Sequence, residues 1–410
     1  MNYPAYQQSL TLIALIVCFA FLAGRIWAVQ LARRRANHLA SLPIYYGWYG
    51  ALGALFPAMT LGLLGWFLPI PSAVLNIAIP LASFVGAMVC LFQISPQLTA
   101  QRRVERMIRW LLMASGVVAI MTTLGIILSL VFETFLFFGH PDVSVIDFFT
   151  GTEWSAQTSS RFGAVPLFFG TFFVGLIALV IAAPVGLFSA IYMSEYASPR
   201  TRQILKPFLE VLAGIPTVVY GFFAILVVAP AVRSAGDGLN DLLRPFFGGA
   251  DVIATQPKSA LAAGIVMGIM IVPFISSLSD DVIRSVPRKL RNGAIGLGAT
   301  TSETLKDVVL PAAFPGLMAA MLLAVSRAIG ETMIVVMAAG ERANITLNPF
   351  EDVTTVTVQI VALMTGDPAF DSPRTLSAFA LGAVLFCITL AFNVLAQWIV
   401  DRQRRRYAGF

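Results

Sequence analysis

Nine long runs of apolar residues make up most of this chain. They lie at about 8–30, 45–68, 73–94, 110–133, 164–193, 207–232, 259–279, 314–338 and 375–400. A helix needs about 20 mostly apolar residues to cross the hydrocarbon core of a bilayer, and each run reaches that length. Backbone groups find no water inside a bilayer, so spanning segments of this kind satisfy them within helices. The sequence therefore predicts an all-α, polytopic membrane protein with about nine transmembrane helices.

Composition excludes a water-soluble globule. Hydrophobic residues make up 58% of the chain and charged residues 12%, whereas soluble domains average roughly 45–50% and 25%. The first run has no Lys or Arg before it, and a secretory signal peptide has a basic start. We therefore expect the first run to be a retained helix.

Basic residues cluster in alternate connections between the runs. The clusters are Arg33, Arg34 and Arg35; Arg102, Arg103, Arg106 and Arg109; Arg200, Arg202 and Lys206; Arg284, Arg288, Lys289 and Arg291; and Arg402, Arg404, Arg405 and Arg406. Cytoplasmic loops of membrane proteins carry an excess of Lys and Arg. Nine spans with the N-terminus outside place every cluster, and the C-terminus, in the cytoplasm. The net charge of +6 is then an orientation signal, and we expect no nucleic-acid partner.

The chain divides near residue 105. Residues 1–105 predict an accessory bundle of three transmembrane helices, and residues 106–410 predict a core of six. Within this core, Ala182 to Pro184, Gly214 with Pro216, and Pro273 are expected to interrupt helices. Irregular backbone at membrane depth is tolerated where it is buried in protein or lines a water-filled cavity, so these breaks fit a translocation pathway. Ordinary packing is the alternative, because Gly and Pro are common in membrane helices.

A charged segment at about 280–311 separates two of the core runs. It carries residues at a set spacing, which are Asn292, Gly293, Ala294, Gly298, Leu310 and Pro311. The pattern predicts two short helices along the membrane surface with a turn at Gly298, because Gly adopts left-handed backbone angles at little cost. Pro311 is expected to end the second helix or to begin the next, since it fits best in a first helical turn.

This spacing resembles the EAA coupling loop in the permease subunits of ATP-binding-cassette importers. That pattern is Glu-Ala-Ala, three residues, Gly, nine residues, and then Ile-x-Leu-Pro. Asn292 replaces the Glu and Gly293 the first Ala of the pattern, so this chain has no carboxylate at that first position. The resemblance implies that the segment docks a separate ATPase.

Further stretches resemble the phosphate-import permeases of the PstC type. They are 148–154 (FFTGTEW), 190–196 (AIYMSEY), 206–222 (KPFLEVLAGIPTVVYGF) and 326–333 (SRAIGETM). The resemblance implies a six-helix type I importer core that forms half of a pathway for inorganic phosphate. It also implies a second, PstA-like permease subunit, two copies of a cytoplasmic ATPase, and an extracytoplasmic phosphate-binding protein, in a bacterial inner membrane.

Four residues are candidates for the substrate pathway. Arg327 lies deep in the eighth run, and its planar guanidinium suits phosphate oxygens. Glu331 lies four residues on, one helical turn away. Either Arg327 contacts the substrate, or the two side chains form an internal ion pair that makes the helix insertable. Thr217 and Tyr220 offer hydroxyl groups near Gly214 and Pro216, with packing as the alternative.

The sequence predicts no catalytic residues, metal site or cofactor. Its only lysines are Lys206, Lys258, Lys289 and Lys306, and none ends a G-x-x-x-x-G-K phosphate loop. ATP hydrolysis is therefore expected in a partner chain. Three alternatives stay open: a permease for phosphonate, sulfate or molybdate, a secondary transporter, or a membrane signalling scaffold. Inverted repeats and intramembrane ion sites are typical of a secondary transporter, and we find neither in the sequence.

Overall fold

The computed structural model describes residues 3–35, 39–68, 70–95, 97–156, 158–245, 254–365 and 372–407. Over these residues the regular structure is helical except for one hairpin of strands β1 (Trp154–Ser155) and β2 (Arg161–Phe162). The chain forms two units, Met1–Gly125 and Ile126–Phe410. The division at residue 105 between an accessory bundle and a permease core is a statement about function, and it stays a prediction.

Small residues hold the first unit together. It contains α1 (Tyr3–Arg35), α2 (Pro43–Phe67), α3 (Ser72–Phe92) and the first part of α4 (Ala100–Phe138). A Cβ atom at Gly50 would lie 2.7 Å from the carbonyl oxygen of Ala20, so α2 approaches α1 closely there. Such close approach is typical of helix packing in membranes. The buried Tyr46 hydroxyl donates to the Leu98 carbonyl at 2.8 Å, which ties α2 to the connection before α4.

The second unit contains the remaining helices and three π-helical segments. In chain order they are α5 (Val145–Thr150), α6 (Val165–Ile191), a π segment (Tyr192–Tyr196), α7 (Pro199–Ala213), α8 (Thr217–Phe223), a π segment (Ala224–Val228), α9 (Ala229–Leu243), α10 (Ala260–Ser285), α11 (Arg288–Gly296), α12 (Thr301–Glu303), a π segment (Thr304–Val309), α13 (Leu310–Ile329), α14 (Met333–Ala338), α15 (Val356–Met364) and α16 (Pro373–Tyr407).

Nine helices among the described residues are long and apolar enough to cross a membrane. They are Leu10–Arg33, Pro43–Gly65, Ser72–Phe92, Ala100–Phe138, Val165–Tyr196, Thr217–Leu243, Ala260–Ser285, Thr301–Ile329 and Pro373–Arg402. The predicted fold class is confirmed. Two bounds were wrong, because the predicted sixth span at 207–232 and the predicted eighth at 314–338 each run across a break in the chain's helices.

The core of the second unit lies between α6, α10 and α13. Its buried side chains are mostly small or aliphatic, such as Ala178, Ile271 and Ala324. Glycines let α6 and α10 approach each other: a Cβ atom at Gly264 would lie 2.5 Å from Cγ2 of Ile177. Side chains that interlock this closely make α6 and α10 one rigid pair, against which the other helices pack.

The predicted interruptions have mixed outcomes. Pro184 lies inside a continuous α6 and Pro273 inside a continuous α10, so interruptions there were wrong. Membrane helices tolerate a proline because neighbouring groups satisfy the freed carbonyl. The break at Gly214 and Pro216 is confirmed, since α7 ends before it and α8 begins after it. A further break, after α13, was not predicted: the helix ends at Ile329 and α14 begins at Met333.

Candidate functional site

The segment between α10 and α13 forms a helix, a turn and a second helix. Gly298 has φ of +94°, which confirms the predicted turn, because this left-handed region favours glycine. The second helix starts with a capping box: Thr300 N–H donates to Glu303 Oε2 at 2.8 Å, and Glu303 N–H donates to Thr300 Oγ1 at 3.3 Å. The sequence fixes this start locally, because Thr-x-x-Glu satisfies two backbone donors.

The second helix differs from the prediction. It is not a separate short helix, because α12, a π segment and α13 continue from Thr301 to Ile329. Pro311 follows the π segment directly. A proline has no N–H to donate and crowds the preceding turn, and a wider π turn accommodates that. Pro311 lies in the first turn of α13, which confirms that it begins the next helix. The helical run continues through it, so the surface helix is joined to a membrane span.

The predicted coupling residues mostly face outward. Asn292, Gly293, Gly298 and Pro311 are exposed, and Ala294 and Leu310 are half-buried. Leu297, which precedes the turn, is 93% exposed. It lies between two candidate spans, and the sequence reasoning did not single it out.

A buried carboxylate lies at the end of α10 that leads into this segment. The Asp280 side chain is 1% exposed, and its oxygens accept from Arg202 Nη2 at 2.8 Å and from Arg284 Nε at 3.0 Å. Nothing in the charged segment at 280–311 indicates from sequence alone that the Asp280 carboxylate is buried. Arg202 on α7 and Arg284 on α10 together compensate the buried charge, as a buried carboxylate requires.

We expect Asp280→Asn to destabilise the second unit. The amide cannot accept from both guanidinium groups as strongly, so the free energy of unfolding should fall by about 1–3 kcal/mol. The thermal midpoint of the purified protein in detergent measures this. Asp281→Asn is the matched control, because that side chain is 65% exposed and lies 3.9 Å from Lys206. Equal midpoints for the two variants would contradict the role of Asp280.

Two neighbouring cavities lie beside this cluster, between α7 and α10. The inner one, of about 180 Å³, reaches Ala213, Phe274 and Ser277. The outer one, of about 550 Å³, reaches Arg202 and Arg284. Lys206 and Glu210 line both cavities. Lys206 Nζ lies 3.9 Å from Asp281 Oδ1, and the structure pairs these two side chains.

Arg327 lies in the last turn of α13 and contacts Phe274, which lines the inner cavity. Its Cζ is 5.6 Å from the centroid of the Phe274 ring, and its Nη2 is 3.9 Å from Sδ of Met270. Both neighbours are near the middle of α10, so the guanidinium lies at mid-span. A cation over an aromatic face is stabilised by the ring quadrupole. The Arg327 side chain is nevertheless exposed in the single chain.

Glu331 does not continue the helix that carries Arg327. Because α13 ends at Ile329, the predicted one-turn spacing between the two side chains was wrong. Glu331 Oε1 accepts from the backbone N–H groups of Met333 at 3.1 Å and Ile334 at 3.4 Å. Among the described residues Arg327 has no salt-bridge partner. Glu331 therefore fixes the start of α14.

Thr217 and Tyr220 lie on α8, after the break at Gly214 and Pro216. The buried Tyr220 hydroxyl donates to the Leu212 carbonyl at 3.0 Å, so its hydrogen bridges the break and is not free for an anion in this conformation. Thr217 is half-buried at the first residue of α8. A Cβ atom at Gly221 would lie 3.3 Å from the Met333 carbonyl oxygen. The two broken segments therefore pack against each other.

A family model described as "Binding-protein-dependent transport system inner membrane component" matches residues 182–409. This range covers more than half of the chain and includes the segment with Gly298, the cavities and Arg327. The chain belongs to this permease family. A second model, described as "Phosphate ATP-binding cassette transporter", matches residues 10–81. The leading helices, which the sequence reasoning left outside the resemblance, therefore have a family match of their own.

Named relatives are about one-third identical to this permease over the aligned part of the chain. The probable ABC transporter permease protein YqgH of Bacillus subtilis is 35% identical over 64% of this chain and 80% of its own length. The phosphate transport system permease protein PstC of Mesorhizobium japonicum is 34% identical over 62% of this chain and 78% of its own length. These identities confirm the predicted membership of the PstC-type permeases.

A solved structure is also similar to this permease. It is described as "a bacterial ABC transporter involved in the import of the acidic polysaccharide alginate". The matched chain is 16% identical, with a TM-score of 0.49, and the match covers 74% of this chain and 98% of that chain.

Proposed function

We propose that this permease subunit imports inorganic phosphate by forming half of the translocation pathway. In this proposal it is not a catalyst, and it acts with a second permease subunit, a dimer of cytoplasmic ATPases and an extracytoplasmic phosphate-binding protein. The match of residues 10–81 to a phosphate transporter model supports phosphate as the substrate, and relatives named for phosphate transport support it too.

The placement of Arg327 is the main observation that supports a translocation pathway in this subunit. A mid-membrane Arg costs roughly 2.5–3.5 kcal/mol on translocon scales, so such residues usually pair or line a polar cavity. Arg327 adjoins Phe274, which lines the inner cavity, and its planar fork matches phosphate oxygens. The packed breaks at α8 and α14 support the same interpretation, because irregular backbone at this depth fits a cavity wall.

Each predicted pathway residue has a distinct role in this proposal. Arg327 meets the anion directly. Glu331 and Tyr220 hold the broken segments in place through their bonds to the backbone. Thr217 offers its hydroxyl at the start of α8, beside the break. The pathway therefore depends on one guanidinium and on a wall whose irregular backbone is fixed by neighbouring side chains.

The segment at 280–311 is the proposed docking site for the ATPase. Asn292, Gly293 and Ala294 on α11, and Gly298 after it, form the outward surface with the exposed Leu297. The continuous helix from Thr301 to Ile329, which includes Leu310 and Pro311, joins that surface to Arg327. A displacement of the docking surface would therefore move the pathway.

Competition uptake tests the substrate. Cells that lack their own phosphate importers, and that carry this chain with its neighbouring transport subunits, should accumulate radiolabelled phosphate in an ATP-dependent manner. A hundredfold excess of unlabelled phosphate should block this uptake, and equal sulfate, molybdate or phosphonate should not. Uptake that sulfate, molybdate or phosphonate blocks as well as phosphate does would overturn the assignment of substrate.

The proposed orientation has the N-terminus outside and the C-terminus in the cytoplasm of an inner membrane. We expect single cysteines at Gly238 and Leu347 to react with a membrane-impermeant thiol reagent added to intact cells. Cysteines at Lys289 and Thr301 should react only after permeabilisation. All four positions are exposed in the single chain, so accessibility reports the side of the membrane. The opposite labelling pattern would show an inverted chain.

A further inference from the structure

Arg291 ties the proposed docking helix α11 to the rest of the unit. Its Nη1 lies 2.8 Å from Glu195 Oε1, in the π segment that ends α6. Its Nη2 donates to the Ile283 carbonyl, near the end of α10, at 2.5 Å. One guanidinium therefore joins three elements, and only Arg has the planar set of donors for such a geometry.

This ion pair is shielded from water, unlike most surface pairs. The side chains of Arg291 and Glu195 are 18% and 12% exposed. By comparison, Arg233 and Asp237 on α9 lie 3.9 Å apart and are 52% and 54% exposed. Exposed pairs contribute little, whereas loss of one partner from a shielded pair leaves an uncompensated charge. The Arg291–Glu195 contact therefore constrains α11 far more than an exposed pair would.

The contacts continue from Ile283 into the pathway helices. Asp280 lies one turn earlier on α10 and holds Arg202 on α7. α7 leads directly to the break at Gly214, and its residues line both cavities. Two ion pairs, Arg291–Glu195 and Arg202–Asp280, therefore connect to the last turns of α10, and the backbone of α10 between Asp280 and Ile283 links them.

We propose that Glu195, Arg291, Asp280 and Arg202 form an ionic junction that carries the nucleotide state of the ATPase to α7. This inference rests on the proposed function, since it assumes that an ATPase docks on α11. Glu195 and Arg291 act as positioning residues and do not contact the substrate. When the ATPases close, α11 shifts, and its charged contacts move the ends of α6 and α10 and, through Asp280, α7.

A double-mutant cycle with a reporter on α7 tests the junction. The reporter is a single cysteine at Ala213, which lines the inner cavity, in a chain whose Cys18, Cys90 and Cys387 are replaced by alanine. The assembled complex with its ATPase is labelled with a thiol reagent, with and without ATP and vanadate. The measured quantity is the ratio of the two labelling rates, which does not depend on the transported substrate.

Arg291→Ala and Glu195→Ala should each lower this ATP-dependent ratio by about 2- to 30-fold. The ratio in the double variant should be no lower than in either single variant, because the two changes break the same contact. The control pair Arg233→Ala and Asp237→Ala should leave the ratio unchanged. Co-purification of the ATPase should persist in all variants, since the outward surface of α11 is intact.

Three results would overturn the junction. The first is a wild-type ratio in both single variants, and the second is additive loss in the double variant. Loss of the ATPase from Arg291→Ala but not from Glu195→Ala would also overturn it, because Arg291 would then serve docking alone. Failure of phosphate uptake by the wild-type complex, with a normal ATP-dependent ratio, would instead overturn the proposed substrate and leave the junction standing.

Discussion

Replacing Arg327 with alanine should lower phosphate uptake by about 10- to 100-fold, which corresponds to roughly 1.5–3 kcal/mol for a charge-assisted hydrogen bond. The reason is electrostatic, because the guanidinium beside Phe274 would offset the negative charge of a phosphate that leaves water there. Lys206 also lines the inner cavity, but its ammonium group pairs with Asp281. Initial uptake rates at matched amounts of membrane-inserted protein measure the effect. Arg327→Lys should recover part of the uptake, since it keeps the charge and loses the planar fork.

Two further variants separate substrate contact from a structural role for Arg327. The double variant Arg327→Ala with Glu331→Ala should not regain uptake, because Glu331 caps α14 rather than pairing with Arg327. Arg233→Ala is the control, as an exposed arginine at 52% exposure on α9. Near-normal uptake by either Arg327→Ala or the double variant would remove Arg327 from the proposed pathway.

Gly298→Val should release the ATPase while the membrane spans still insert. At φ of +94° a β-branched residue is strained, by roughly 1–3 kcal/mol. No neighbouring atom lies within 4 Å of a Cβ built at Gly298, so the backbone alone carries this penalty. The turn should relax toward negative φ and swing α11 away from α12. Co-purification of the ATPase with the chain, and ATP-dependent uptake, measure the loss.

Gly296→Val is the matched control for the turn. Gly296 ends α11 and also has no atom within 4 Å of a built Cβ, but its φ lies outside the left-handed region. We expect this variant to keep the ATPase and most of its uptake. If Gly298→Val and Gly296→Val bind the ATPase equally well, the left-handed turn has no part in docking.

The sequence predicted well whatever depends on local chemistry. Hydropathy located the nine spans, since length and apolar content decide insertion. The turn at Gly298 followed from the spacing and from the backbone freedom of glycine. The break at Gly214 and Pro216 could also be predicted from the backbone properties of glycine and proline. The interruptions predicted at Pro184 and Pro273 were wrong, because tertiary neighbours let a membrane helix continue through a proline.

What the sequence could not provide were pairings between distant segments. Glu195 and Arg291 are far apart in the chain, and so are Arg202 and Asp280. No periodicity along one helix points to such partners. A second aspartate follows Asp280 and a basic run lies close by. That pattern is typical of a solvent-exposed loop and does not indicate a buried carboxylate. Likewise, Arg327 and Glu331 have the i, i+4 spacing of a helical ion pair. The pair does not form, because α13 ends at Ile329, between the two residues.

The exposed position of Arg327 has a consequence for how this subunit is made. A guanidinium at mid-span, with no carboxylate on it among the described residues, costs roughly 2.5–3.5 kcal/mol in a bilayer until another surface covers it. A subunit synthesised alone would therefore be less stable than the subunit in the assembled complex, and quality-control proteases would degrade it faster. We expect the chain expressed without its second permease to turn over faster than in the assembled complex. Arg327→Leu should slow that turnover, as a pulse-chase measurement would show. The charge that we propose for transport would then also make the chain depend on assembly with its partner.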